Sequence, residues 1–106
     1  MEKILLVDDM KEVYEQIKDA TGVDYSGTEE DALRQIASGN YGLVVSDYNL
    51  GRGSPKGGLR VVATARAKGI ETILISRQDH EKEGLAAGAS RFMFKKEFIR
   101  KYGKRN

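Results

Sequence analysis

The chain contains no cysteine, one histidine and one proline among 106 residues. The first absence excludes a disulfide framework and any thiolate metal site, and it suits a reducing cytoplasm. The lone histidine, His80, has no catalytic neighbour legible in the sequence and reads as an exposed residue at a helix start. Long apolar runs are missing too. The stretch from Ile4 to Val7 ends at Asp8, far short of a signal-peptide core or a membrane span, so a cytoplasmic location without membrane contact is expected. At this length residues 1–106 are expected to form a single domain with no effector domain. Such a domain buries roughly 60 to 68% of its unfolded-chain surface in one core.

Charge is unevenly spread. Residues 1–48 hold four Lys/Arg against eleven Asp/Glu, and residues 49–106 hold fourteen against five. Such a split either marks a basic partner-binding face or lets the two halves neutralise each other within one fold, and the second reading is the simpler. The basic tail, Lys101, Lys104 and Arg105, comes without a recognisable reading helix, so nucleic acid is not expected as a partner.

Apolar runs without polar alternation predict buried strands at residues 3–7, 43–47 and 70–75, and a shorter one at 92–94. Val23, Asp24 and Tyr25 make a half-polar strand suited to a sheet edge. Helices alternate with these runs. Val13, Tyr14, Ile17 and Ala20 share one helical face ahead of a stop at Gly22. Thr28 with Asp31 three residues on is a capping-box signature for a helix over 29–38, with Leu33, Ile36 and Ala37 as its apolar face and Gly39 as its exit. A third helix over 59–68 buries Leu59, Val62 and Ala63. A fourth runs from an Asp79 cap to Ala87, weakened by Gly84 and ended by Gly88, and a brief last one covers 97–102. Five β-α alternations, with crossovers long enough for parallel strands, give an α/β class with helices on both faces.

Four of the strands end, respectively, in Asp8 with Asp9, Asp47, Ser76 and Lys95. A parallel sheet gathers these five side chains on one rim, where open α/β sheets hold their ligands. Three carboxylates packed there repel by roughly 4 kcal/mol per pair at about 4 Å and an effective dielectric near 20, so the rim demands a cation. Hard oxygen donors select Mg²⁺ or a similar ion. Lys95 and the Ser76 hydroxyl complete a pocket for a phosphoryl group, and one carboxylate free of the others can act as nucleophile and form an aspartyl phosphate. Taken singly, the same residues have plainer readings: Asp8 and Asp9 as helix caps, Asp47 as a turn residue, Ser76 as a backbone-satisfying hydroxyl, Phe92 as core. The glycine-rich stretch 51–58, which holds Pro55, does not fit G-x-G-x-x-G and lacks a following Lys-Ser/Thr pair. A mobile loop beside the site is the better reading.

The acidic pair in LLVDD, the LVVSD strand, LIS and the GLAAGASRFMFKK run together resemble the response-regulator receiver domains of two-component signalling, the family of the chemotaxis receiver, over nearly the whole chain. The resemblance implies a flavodoxin-like, doubly wound five-stranded parallel sheet in the order 2-1-3-4-5. It implies that Asp47 accepts a phosphoryl group from a phosphohistidine on a sensor histidine kinase or histidine phosphotransfer protein. Asp8, Asp9, Asp47 and the backbone carbonyl of Asn49 would hold Mg²⁺, Lys95 would pair with the phosphoryl oxygens, and Ser76 would swing to hydrogen-bond them. Phe92 stands at the position of the family's rotating aromatic switch. A downstream protein target would read the switched surface. The chain would be a signalling module, not an enzyme, catalysing only its own phosphorylation and dephosphorylation.

Several positions depart from that family. Lys96 stands where proline usually follows the lysine, so a cis peptide is not expected there and the placement of Lys95 is open. Arg77 replaces a small residue, and its guanidinium can serve as an extra phosphate ligand or as a plug. A glycine-rich basic loop follows Asp47 in place of a Met-Pro turn, and the first, fourth and fifth helices are short. These departures keep a rival in view: a degenerate receiver acting as a phosphorylation-independent interaction module. A third reading, an aspartyl-phosphate phosphatase using Asp47 with Asn49, lacks a second acid two residues after the nucleophile and a cap over the substrate.

Overall fold

The computed structural model describes residues 3–19 and 22–103. In it the chain runs β1 (Ile4–Val7), α1 (Glu12–Ile17), β2 (Val23–Ser26), α2 (Glu29–Ser38), β3 (Leu43–Asp47), α3 (Gly57–Ala67), β4 (Glu71–Ser76), α4 (Glu81–Ala87), β5 (Arg91–Phe94) and α5 (Lys95–Tyr102). The five strands are all parallel in the order β2-β1-β3-β4-β5. This is the doubly wound, flavodoxin-like sheet that the resemblance implies. Among the described residues no helix is long and apolar enough to cross a membrane.

The period of two along each strand sorts the core into two layers. Ile4, Leu6, Leu43, Val45, Ile73, Ile75 and Met93 face α1 and α5, where Val13, Ile17 and Phe98 meet them. Leu5, Val7 and Val44 face the other way, onto Ala32 and Ile36 of α2 and Val61 and Ala65 of α3. A smaller cluster of Tyr48, Val62, Leu74 and Ala89 fills the space towards α4, with Phe92 packed against its edge. Asp47 has the parity of Leu43 and Val45, so the rim residue of β3 points to the side from which α5 begins.

Two helix faces differ from expectation. In α2 the buried residues are Ala32 and Ile36, with Leu33 half-buried and Ala37 exposed. Residues four apart stack on one face, and Ile36 shares its row with Ala32, which turns Ala37 outward. In α3 Val61, Val62 and Ala65 are buried while Leu59 is half-buried and Ala63 exposed. The helix also starts two residues early, at Gly57, because Gly58 is laid against the backbone of β3 and that contact sets the helix's rotation. The expected capping box at Thr28 is half made. Thr28 Oγ1 accepts the Asp31 N–H at 3.1 Å, but the Asp31 carboxylate accepts from Ser26 Oγ at 2.8 Å and Gln35 Nε2 at 2.6 Å and does not return to the cap. Helix α1 ends at Ile17, and Ala20 lies outside the described residues.

Strand bounds otherwise shift by a residue: Lys3 and Ile70 fall before β1 and β4, and Arg91 joins β5. Lys95 and Lys96 are the first residues of α5, and the peptide bonds of the described residues are all trans. As expected, α1, α4 and α5 are short, with 6, 7 and 8 residues.

Candidate functional site

The carboxyl ends of β1, β3 and β4 and the start of α5 converge on one cleft of about 300 Å³. Asp9, Met10, Asp47, Asn49, Ser76, Arg77, Gln78, His80 and Lys95 line it. One oxygen from each of Asp8, Asp9 and Asp47 lies within 4.8 Å of the others. Lys95 Nζ is 3.0 Å from Asp47 Oδ2 and 3.3 Å from Asp8 Oδ2, so the ammonium bridges two of the three carboxylates. Asp8 is fully buried (0% exposed) and Asp47 nearly so, whereas Asp9 is exposed. A larger depression at the opposite rim, lined by Lys3, Tyr41 and Lys68 among others, holds no carboxylate.

Local hydrogen bonds orient the two buried acids. Asp8 Oδ1 accepts the Met10 N–H at 3.0 Å, and Asp47 Oδ1 accepts the Tyr48 N–H at 2.9 Å. Asp47 Oδ2 is left to Lys95. Asp8 Oδ2 is buried without a hydrogen bond, because Lys95 sits within ion-pairing distance of it but outside hydrogen-bond geometry. Burial, with the neighbouring Asp47 charge as the next cause, pushes the Asp8 carboxyl up from the usual 3.8 to about 6. Burial raises Asp47 as well, and Lys95 draws it partly back. The Lys95 ammonium is held above its ordinary value: burial works against it, and Asp47 and Asp8 together outweigh that.

Three convergent carboxylates, two of them buried, and one orphaned buried oxygen are the donor set of a hard divalent cation. A single ammonium leaves two formal negative charges uncompensated, which is the charge of such an ion. The residues present therefore fit a divalent metal.

The remaining expected residues fall around this centre. Ser76 is buried at the end of β4, with its Oγ accepting the Gln78 N–H at 3.2 Å. Asn49 lines the cleft, and its side-chain oxygen accepts the Lys56 N–H at 3.0 Å. Arg77 reaches the cleft mouth with its side chain 68% exposed, 3.7 Å from Glu12 Oε1 on α1. Phe92 lies on the other face of the sheet from Asp47, half-buried and edge-on to Phe94, with ring centroids 5.2 Å apart.

Three site features are absent from the sequence reading. Gly58 supports Asp47 directly: a Cβ there would lie 1.9 Å from the Asp47 carbonyl oxygen, so only glycine admits this approach. Gly51, at φ +90°, brings the loop after β3 alongside Asp9 Oδ2. His80, expected to be an exposed helix-start residue, is half-buried and stacks on Tyr48. No sequence signal announces a stack between residues so far apart. The Gly57-Gly58 pair directly before an apolar helical run was the one visible hint of a close backbone approach.

No protein-family model matches the chain, and no curated protein does. Solved structures do. Chemotaxis response regulator CheY4 of Vibrio cholerae superposes with a TM-score of 0.79 at 21% identity, covering 95% of this chain and 94% of that one. The receiver domain of the Francisella response regulator 1452 gives 0.73 at 22% identity, over 96% and 93%. A Burkholderia pseudomallei response regulator, described with a phosphorylated aspartic acid, a calcium ion and citrate, gives 0.79 at 16% identity, over 100% of this chain and 68% of that one. The chain thus has the fold of response-regulator receiver domains across nearly all of its length.

Proposed function

We propose that the chain is a phosphoacceptor receiver module of a two-component or phosphorelay pathway, in which Asp47 takes a phosphoryl group in a Mg²⁺-dependent reaction. The observation that carries this is the triangle of Asp47, Asp8 and Lys95, with Asp9 alongside, at the floor of an open cleft. Asp8, Asp9, Asp47 and the Asn49 backbone carbonyl would hold the ion, which supplies charge neutralisation at the phosphoryl oxygens. With the metal compensating the carboxylates, Asp47 Oδ2 is the nucleophilic oxygen. It attacks the phosphorus of a phosphohistidine on a partner kinase or phosphotransfer protein, the P–N bond breaks, and its electron pair stays on the leaving imidazole. Lys95 would then pair with a phosphoryl oxygen in place of the carboxylate, and Ser76 would donate a hydrogen bond to another. Phe92 would carry the change towards the surface read by a downstream target.

Charge accounts for Arg77. Phosphorylation exchanges a monoanionic carboxylate for a phosphoryl group carrying close to two negative charges. The metal and Lys95 balance the three carboxylates, so the added charge is uncompensated until Arg77 leaves its exposed partner Glu12 and turns inward. An ion pair of that kind is worth little on the surface and offers slight resistance.

Mass spectrometry after incubation with Mg²⁺ and acetyl phosphate tests the reading. Wild-type protein is expected to gain one phosphoryl group and Asp47→Asn none. In the same assay Arg77→Ala should load about tenfold more slowly, the loss of one charge-assisted contact. An unmodified wild-type protein would replace this reading with that of a phosphorylation-independent interaction module, and an unchanged Arg77→Ala rate would remove Arg77 from the pocket.

A further inference from the structure

The segment between Ser76 and α4 is weakly held. Arg77, Gln78 and Asp79 are all exposed. Arg77 pairs loosely with Glu12 at 3.7 Å, Gln78 gives its N–H to Ser76 Oγ, and Asp79 Oδ1 accepts the Glu81 N–H at 3.0 Å. The first residue of the segment that is not exposed is His80. Its ring lies flat on Tyr48, with centroids 3.6 Å apart and planes 3° from parallel. Glu83 ties the two rings together: its Oε2 accepts the Tyr48 hydroxyl at 2.9 Å, and its Oε1 lies 3.2 Å from His80 Nδ1. Lys56 Nζ adds a looser contact to the same carboxylate at 3.6 Å.

Tyr48 is itself buried. It is 4% exposed, packed on Val62, Leu74 and Ala89, and its N–H is the one that orients Asp47 Oδ1. The stack therefore ties the end of the Ser76–His80 segment, where α4 begins, to the residue that follows the phosphoacceptor. His80 and Ser76 line the same cleft.

We infer that His80 is a positioning residue: by stacking on Tyr48 it holds the Arg77–Asp79 turn, whose Gln78 N–H fixes the Ser76 hydroxyl, so that this hydroxyl meets a phosphoryl group already oriented. The inference rests on the phosphoacceptor reading, because Ser76 is the group through which His80 acts. An aromatic stack of this kind contributes enough to change an equilibrium about fivefold.

Beryllofluoride, which mimics a phosphoryl group on a carboxylate, provides the probe in the presence of Mg²⁺. His80→Ala is expected to weaken its binding about fivefold while leaving Mg²⁺ affinity unchanged, and His80→Phe, which keeps a flat ring over Tyr48, should restore it. The decisive comparison uses Ser76→Ala as background. There His80→Ala should cost nothing further, since the group it positions is gone. A His80→Ala protein that binds beryllofluoride as wild type does, or a loss that persists undiminished alongside Ser76→Ala, overturns the inference alone. A wild-type protein that binds Mg²⁺ but no beryllofluoride overturns the phosphoacceptor reading and this inference with it.

Discussion

Lowering the pH of the metal-free protein from 7 towards 4 is expected to stabilise it, by up to about 3 kcal/mol, where most proteins lose stability. The cause is Asp8, whose carboxyl is pushed up to about 6 by burial and by the charge of Asp47. In the unfolded chain that carboxyl stays ionised down to its ordinary value near 3.8. Between those two values the folded state binds a proton that the unfolded state does not, so stability rises as pH falls. Asp47 is displaced in the same direction and adds to the effect. Below about pH 4 the sign reverses. Glu29, drawn down chiefly by its hydrogen bonds from Arg60, and Asp31, drawn down by Ser26 and then Gln35, contribute stability above their ordinary values that is lost as they protonate.

Urea midpoints measured across this range provide the check. Asp8→Asn should be more stable than wild type at pH 7 and should keep only the smaller rise towards pH 4 that Asp47 contributes. Mg²⁺ should invert the wild-type profile, because the ion requires ionised carboxylates. At a hundred times its dissociation constant it adds about 2.7 kcal/mol near neutrality and far less at pH 4. A metal-free stability that declines steadily from pH 7 would mean that the acidic centre is not the strained cluster described here.

Gly58→Ala is expected to destabilise the fold by about 3 kcal/mol or more, although it adds a single methyl group. The new Cβ would meet the Asp47 carbonyl oxygen at 1.9 Å, its carbonyl carbon at 2.8 Å and Tyr48 Cα at 2.9 Å. All three are backbone atoms, so no side chain can move aside. Either α3 tilts away from the sheet, losing the packing of Val61, Val62 and Ala65, or β3 shifts and takes Asp47 with it. The Asp47 carbonyl also accepts the Ser46 hydroxyl at 3.0 Å, which pins it further. Gly53→Ala, in the same loop with no atom within 4 Å of the added carbon, is the control and should change stability by less than about 0.5 kcal/mol. Equal urea midpoints for the two variants would show that the α3–β3 contact is softer than its geometry.

Much of the architecture was legible because it is written in short-range pattern. Leu43, Val44 and Val45, apolar on successive positions, suit a strand buried on both faces, and four such runs punctuated by amphipathic helices leave few topologies. Thr28 marked the start of α2 correctly because a cap depends on residues three apart. What escaped depended on rotation. Ala37 and Ala63 lie as close to apolar rows as Ala32 and Ala65 do, and the helical period alone does not say which row meets the sheet. That was settled by contacts such as Gly58 on the Asp47 carbonyl.

The site divides in the same way. Strand ends carrying Asp8, Asp9, Asp47 and Ser76, and Lys95 directly after β5, were readable from the chain because a parallel sheet brings the carboxyl ends of its strands to one rim whatever the detail of the loops. Only the folded molecule decided that Lys95 bridges Asp8 and Asp47, that one Asp8 oxygen stays unpaired, and that His80 lies on Tyr48 with Glu83, 35 positions from that tyrosine, binding both. Backbone pattern is local and survives in one dimension. Which side chains touch across the loops depends on how far each helix is turned and how closely each glycine lets it approach, and those quantities exist only in three.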